Sequence, residues 1–199
     1  MASERLKESP SQTAGPYVSI GLAPNSVGIG TFPGDLGRQM VDAETRGERI
    51  VIEGRVFDGG DKPIDDCMVE IWQADAAGTY PGTPGADPHF AGWGRCPAAE
   101  GSGVFRFETV KPGRVPYADG RMQAPHVSLW IVARGINLGL NTRLYFDDET
   151  EANAADPVLA TIAPQARAAT LIAARRSGSS TYGIDIHVQG PNETVFFDI

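Results

Sequence analysis

The chain has 199 residues, 41% of them hydrophobic and 21% charged, an ordinary composition for a chain long enough to bury one well-cored domain. A formal net charge of −8 and an isoelectric point near 4.8 argue against nucleic-acid backbones and anionic membranes as partners. No run approaches the roughly 18 apolar residues of a membrane span, and MASERLKESPSQT lacks the apolar centre of a signal peptide, so a cytoplasmic location is expected.

Taken in order, residues 1–12 are polar. Thr13 to Leu22, TAGPYVSIGL, is an apolar segment that the Gly15-Pro16 pair biases toward extended backbone, so residues 1–22 read as an arm tied onto the domain. Residues 23–48 are rich in Gly and Pro and read as a long loop with one short helical turn around Leu36–Val41. Strand periodicity then sets in. Arg49–Phe57 alternates Ile50, Ile52 and Val56 against Glu53 and Arg55 before the turn signal Asp58-Gly59-Gly60, and Cys67–Ala74, Val104–Val110, His126–Ala133, Thr142–Phe146, Tyr182–Gln189 and Thr194–Phe197 repeat the pattern. Gln165–Arg176 is Ala-rich, follows Pro164 and ends on Arg175 and Arg176 before Gly178, which predicts a helix; Glu149–Asp156 predicts a shorter helical turn ended by Pro157. Many short strands with turn chemistry between them predict an all-β fold, an antiparallel β-sandwich over residues 23–199 with one short helix in its C-terminal half and long loops.

Chemistry concentrates between Val69 and Val132, in VEIWQADAAGTY, GWGR, GVFRFETVKPG and APHVSLWIV. Tyr80 and His126 carry a phenol and an imidazole, groups that suit a ferric ion, but two ligands do not make a site. Ser128 shares a strand face with His126, roughly 7 Å along at about 3.3 Å per residue, and offers only a hydroxyl. On residue type alone, Tyr80 in GTYPG reads as a turn-packing residue and His126 as a hydrogen-bonded structural histidine. His89 in ADPHF and His187 beside Asp185 have no ligand spacing to His126, although a two-histidine, one-carboxylate Fe(II) site stays open on composition. Cys67 and Cys96 lack metal spacing and would stay thiols in a reducing compartment, with a disulfide as the alternative. Arg134, after VSLWIVA, is either a strand-end cation or a guanidinium at a pocket mouth suited to a carboxylate.

Through WQADAAGTY, KPG and APH, the block from Trp72 to Trp130 resembles the intradiol aromatic-ring dioxygenases, and the resemblance extends over nearly the whole chain. In iron-bearing members the ligands are a tyrosine shortly after WQA, a second tyrosine just after the KPG turn, and two histidines spaced His-x-His. On this chain those positions are Tyr80, Val115, His126 and Ser128. An arginine carried three residues before the first histidine falls on Gln123, and Tyr117 lies two residues past Val115, where it cannot replace a ligand without local rearrangement. The resemblance thus implies an iron-ligand-deficient α-type chain without metal or catalytic residues of its own. It would pair with a homologous catalytic β chain in a hetero-oligomer of αβ pairs, and the β chain would hold Fe(III) and cleave protocatechuate with O2. It further implies that Thr13, Gly15 and Pro16 of the arm line part of the partner's substrate pocket. Arg134 is expected, on its own chemistry, to contribute there by suiting the substrate carboxylate. Two rivals differ in kind: a stand-alone β-sandwich module binding a small ligand or carbohydrate, and an autonomous iron dioxygenase with an unusual ligand set.

Overall fold

A computed structural model describes residues 12–15 and 17–198; Pro16 and residues 1–11 of the expected arm lie outside them. Alternation along Arg49–Phe57 (β1) buries Ile50, Ile52, Gly54 and Val56 and leaves Arg49 and Arg55 outside. The same division recurs in Met68–Trp72 (β2), Trp93–Pro97 (β3) and Val104–Val110 (β4). A two-stranded ribbon, Val115–Pro116 (β5) and Met122–Gln123 (β6), leads into His126–Val132 (β7), Leu140–Phe146 (β8), Ile172–Arg175 (β9) and Thr181–His187 (β10).

Eight strands form one sheet in the order β3-β2-β7-β8-β9-β10-β1-β4. Its two edges nearly meet, with the Arg106 amide of β4 donating to Cys96 Sγ of β3 at 3.4 Å. The sheet therefore curls around a single interior, filled by side chains such as Ile52, Ile71, Phe105, Leu129, Leu144 and Ile186. The expected antiparallel sandwich is corrected to this mixed, barrel-like sheet, because β1 pairs with β10 in parallel from Val51↔Thr181 to Phe57↔His187, and β8 pairs with β9 in parallel. Period-2 alternation reports which face is buried and is blind to the direction of the neighbouring strand.

Other elements shift for identifiable reasons. The expected helix over Gln165–Arg176 is 3-10 helix over Gln165–Leu171 and then β9, whose slot between β8 and β10 overrides alanine propensity. Tyr17–Leu22, expected extended, is a short helix (α1), while Leu36–Val41 contains no helix. Thr194–Phe197 supplies only an isolated bridge from Phe197 to Asn141. The expected turn at Glu149–Asp156 is the helix Thr150–Ala154 (α2). Residues between α2 and β9 cover the outer side of β8, burying Tyr145, Leu159, Ile162, Ala168 and Leu171 in a second apolar cluster. Among the described residues, no helix is long and apolar enough to cross a membrane.

The sequence motifs acquire a physical basis here. Buried Asp75 of WQADAAG accepts the amides of Ala77 and Thr79 at 2.9 Å and of Asp87 at 2.9 Å, which fixes the loop carrying Tyr80. That loop then meets the KPG turn backbone to backbone: Gly113 donates to Asp75 O at 2.9 Å, and a Cβ at Gly78 would lie 2.0 Å from Arg114 O. Gly78 also has φ of +81°, so no other residue meets both conditions without strain. We expect Gly78→Ala to cost about 1–3 kcal/mol, read as a fall in the denaturation midpoint with an unchanged slope.

Candidate functional site

On the barrel's outer face, antiparallel registers align Trp72 of β2 with Ser128 of β7 and Ser128 with Arg143 of β8; one step along, His126 faces Tyr145. The interior takes Val127, Leu129 and Leu144, so His126, Ser128 and Arg143 necessarily share the other face. Trp72 also stacks on Tyr80, with ring centroids 5.8 Å apart and planes 8° from parallel. The barrel thus gathers the positions that the family resemblance singles out.

What occupies their centre is a guanidinium. Arg143 donates to Gln123 Oε1 at 2.8 Å and to the Tyr145 hydroxyl at 3.3 Å, and its guanidinium lies over the Phe197 ring at 5.8 Å. Gln123 in turn donates to Pro116 O at 3.2 Å, across the ribbon in which it pairs with Val115. Tyr145 donates to buried Asp156 at 3.4 Å, and Asp156 also accepts the amides of Ala124, Val158 and Leu159. Ser128 is small enough to leave the space beside it to the Arg143 side chain.

This donor set does not fit an iron ion. With Nδ1 donating to Ala124 O at 2.8 Å, His126 would keep Nε2 free in the tautomer a metal ligand uses. Its surroundings are wrong for that role: Val115 is buried and apolar, Ser128 supplies no imidazole, and a fixed positive charge is already present. Burial raises the Tyr80 pKa, with Arg143 opposing. His126 is 4% exposed and its pKa is pushed down to about 4, chiefly by burial and secondarily by Arg143. Burial likewise raises Tyr145 to about 12. The site therefore holds neutral Tyr80, neutral His126 and a cationic arginine, an arrangement for packing and charge balance. Among the described residues no group of three or more His, Cys, Asp or Glu could hold a metal ion.

A second constellation forms at the far end of β7. The Thr13 hydroxyl accepts the Gly135 amide at 3.0 Å and donates to Ala133 O at 3.5 Å, so it bridges the residues on either side of Arg134. Gly15 donates to the same hydroxyl at 3.3 Å. Gly15, Ser19, Ile20, Asp66 and Arg134 line an open cavity of about 320 Å³. Thr13 and Gly15 are brought beside Arg134, which is far from them in sequence; Pro16 lies outside the described residues. The Arg134 side chain is 64% exposed and pairs through Nε with Asp66 Oδ2 at 2.7 Å.

The remaining candidates fall elsewhere. His89 bonds Asp42 and Glu44 at 3.0 Å each, and the Asp42 hydrogen bond raises its pKa. His187 stacks on Phe57 at 5.0 Å. Cys67 and Cys96 are both free, and burial pushes the Cys67 thiol up to about 12. Sequence reasoning singled out neither Arg143 nor Asp66. Arg143 faces the site only because β8 sets it against Ser128, so its signal was a register and not a motif.

Comparison with known proteins agrees with the geometry. The family model described as "Dioxygenase" matches residues 24–190, and a solved intradiol ring-cleavage dioxygenase from Tetranychus urticae superimposes with a TM-score of 0.58 at 21% identity, covering 92% of this chain and 94% of that one. The chain belongs to the intradiol ring-cleavage dioxygenase family, whose members are in general iron-dependent. Within it, the protocatechuate 3,4-dioxygenase alpha chain of Pseudomonas putida is 44% identical over 200 residues, covering 100% of both chains. The protocatechuate 3,4-dioxygenase beta chain of Burkholderia cepacia is 36% identical over 140 residues, covering 66% of this chain and 56% of its own.

The state of His126 has a measurable consequence. Its folded pKa of about 4 lies below the ordinary 6.5, so between these values the folded chain binds fewer protons than the unfolded one. The histidine's contribution to stability is therefore full above pH 6.5, falls as pH drops through the window, and levels off near pH 4, a total of about 3 kcal/mol. His126→Asn keeps a donor for Ala124 O and removes the titration. Denaturant unfolding of both proteins from pH 7.5 to 4 should show a stability difference that changes across this window. A difference independent of pH would mean that His126 takes up a proton in place.

Proposed function

We propose that this chain is the non-catalytic α subunit of a protocatechuate 3,4-dioxygenase. It pairs with a homologous β chain that holds Fe(III) and cleaves protocatechuate with O2 to 3-carboxy-cis,cis-muconate. The observation that carries the reading is that Val115 and Ser128 stand at two ligand positions in a chain similar to an α chain from end to end, with Arg143 bonded to Gln123 beside them. The similarity to a β chain supports a partner built on the same fold. Two free thiols fit a cytoplasmic setting.

In this reading the bound iron supplies the activation of catecholate and O2, while the chain described here positions and shields. The arm docked through Thr13 presents Gly15 beside Arg134, and this edge completes the partner's pocket. A guanidinium suits the carboxylate of protocatechuate and offsets the repulsion from a chain of net charge −8. Such binding is equal in ground and transition states, so it acts on KM more than on kcat.

Two expectations test this. Expressed alone, the chain should be colourless and without ring-cleavage activity; co-expressed with a β-type chain, it should yield a stable complex with iron and activity. Stoichiometric iron and turnover in the isolated chain would refute the assignment. In the complex, Arg134→Ala should raise KM for protocatechuate about 10- to 150-fold, the range set by a hydrogen bond to a charged group. The rise should shrink for catechol, which lacks the carboxylate. An unchanged KM in an intact complex would make Arg134 a strand-end cation and nothing more.

A further inference from the structure

The ion pair between Arg134 and Asp66 is built by the sheet. β2 and β7 run antiparallel with Met68 opposite Val132, and extending that register two residues sets Asp66 opposite Arg134. The contact joins Asp66 Oδ2 to Nε at 2.7 Å, which is the inner edge of the guanidinium fork. Asp66 is the acid that Arg134 pairs with among the described residues, and both residues line the open cavity together with Gly15 of the arm. A guanidinium whose side chain is 64% exposed would otherwise sample many rotamers, and ordering it on binding would weaken capture.

We infer that Asp66 is a positioning residue for Arg134: it holds the Nε edge so that the terminal nitrogens face a carboxylate-bearing aromatic substrate. The inference rests on the reading of Arg134 given above and adds the residue that orients it. Thr13 fixes the backbone on either side of Arg134, and Asp66 fixes the side chain. Charge alone predicts the opposite sign. An acid beside the pocket repels an anionic substrate, so a purely electrostatic Asp66 would lower KM when removed, whereas an orienting Asp66 raises it.

The test is steady-state kinetics of the co-expressed complex, with iron content and assembly checked for each variant. Asp66→Ala should raise KM for protocatechuate about 3- to 10-fold, the effect of freeing one long side chain, with kcat nearly unchanged. Asp66→Asn removes the carboxylate that pairs with Nε and should raise KM in the same direction. Neither substitution should alter KM for catechol, and Asp65→Ala, at an exposed neighbour on the same turn, should not raise KM. If Arg134→Ala raises KM while Asp66→Ala lowers it or leaves it unchanged, the positioning role is refuted and the role of Arg134 stands. If Arg134→Ala leaves KM unchanged, both fall. An equal rise for catechol, or a fall in KM for Asp66→Asn, also overturns the inference.

Discussion

The pairing of Ser128 with Arg143 across β7 and β8 governs what the outer face of this barrel can do. A hydroxymethyl group leaves the neighbouring arginine room to lie over the site, and the arginine finds hydrogen-bond acceptors in Gln123 and Tyr145 and an aromatic face in Phe197. Each of those groups is fixed elsewhere. Gln123 is held by the β5–β6 ribbon and Tyr145 by the buried carboxylate of Asp156. A cation held by these partners opposes a metal ion by its charge. The change at Ser128 is therefore more than the loss of a ligand, because it makes room on the outer face for a cationic hydrogen-bond network that does not fit an iron ion.

Tyr80 and His126 have a reason to be present without a metal. Tyr80 stacks on Trp72, and His126 spans from Ala124 O to the Tyr145 ring, whose centroid is 5.6 Å away. Both stay neutral because burial disfavours their charged forms. Neutral imidazole beside a guanidinium is also the arrangement with least repulsion. What a ferric site would supply through ligation is supplied here by packing and one arginine.

Much of this fold was legible in the sequence, because one side of the sheet is buried and alternation marks it. β1 and β4 have the expected bounds, and β7 and β10 differ by a residue or two. Strand direction was not legible: the parallel pair of β1 and β10 joins segments more than a hundred residues apart, and the side-chain pattern of either is the same whichever way its neighbour runs. β9 was hidden because Ile172–Arg175 reads as helix until β8 and β10 flank it. The same limit applies at the site. Tyr80, Val115, His126 and Ser128 were located by motif, whereas Arg143 and Asp66 become relevant only through cross-strand register.

Register also links the two constellations. β7 carries the relic at its start, in His126 and Ser128, and Arg134 just past its end, and its partner β2 contributes Trp72 to the first and leads in from Asp66 at the second. One antiparallel pair thus places a donor set that does not fit iron at one end and an exposed cation at the other. About six residues separate Ser128 from Arg134, close to 20 Å of strand at the usual rise, so substitutions at the relic do not touch the cavity beside the arm. The two constellations are built from separate residues, Val115 and Ser128 belonging to the first and Thr13, Asp66 and Arg134 to the second, so what one can do does not depend on the other.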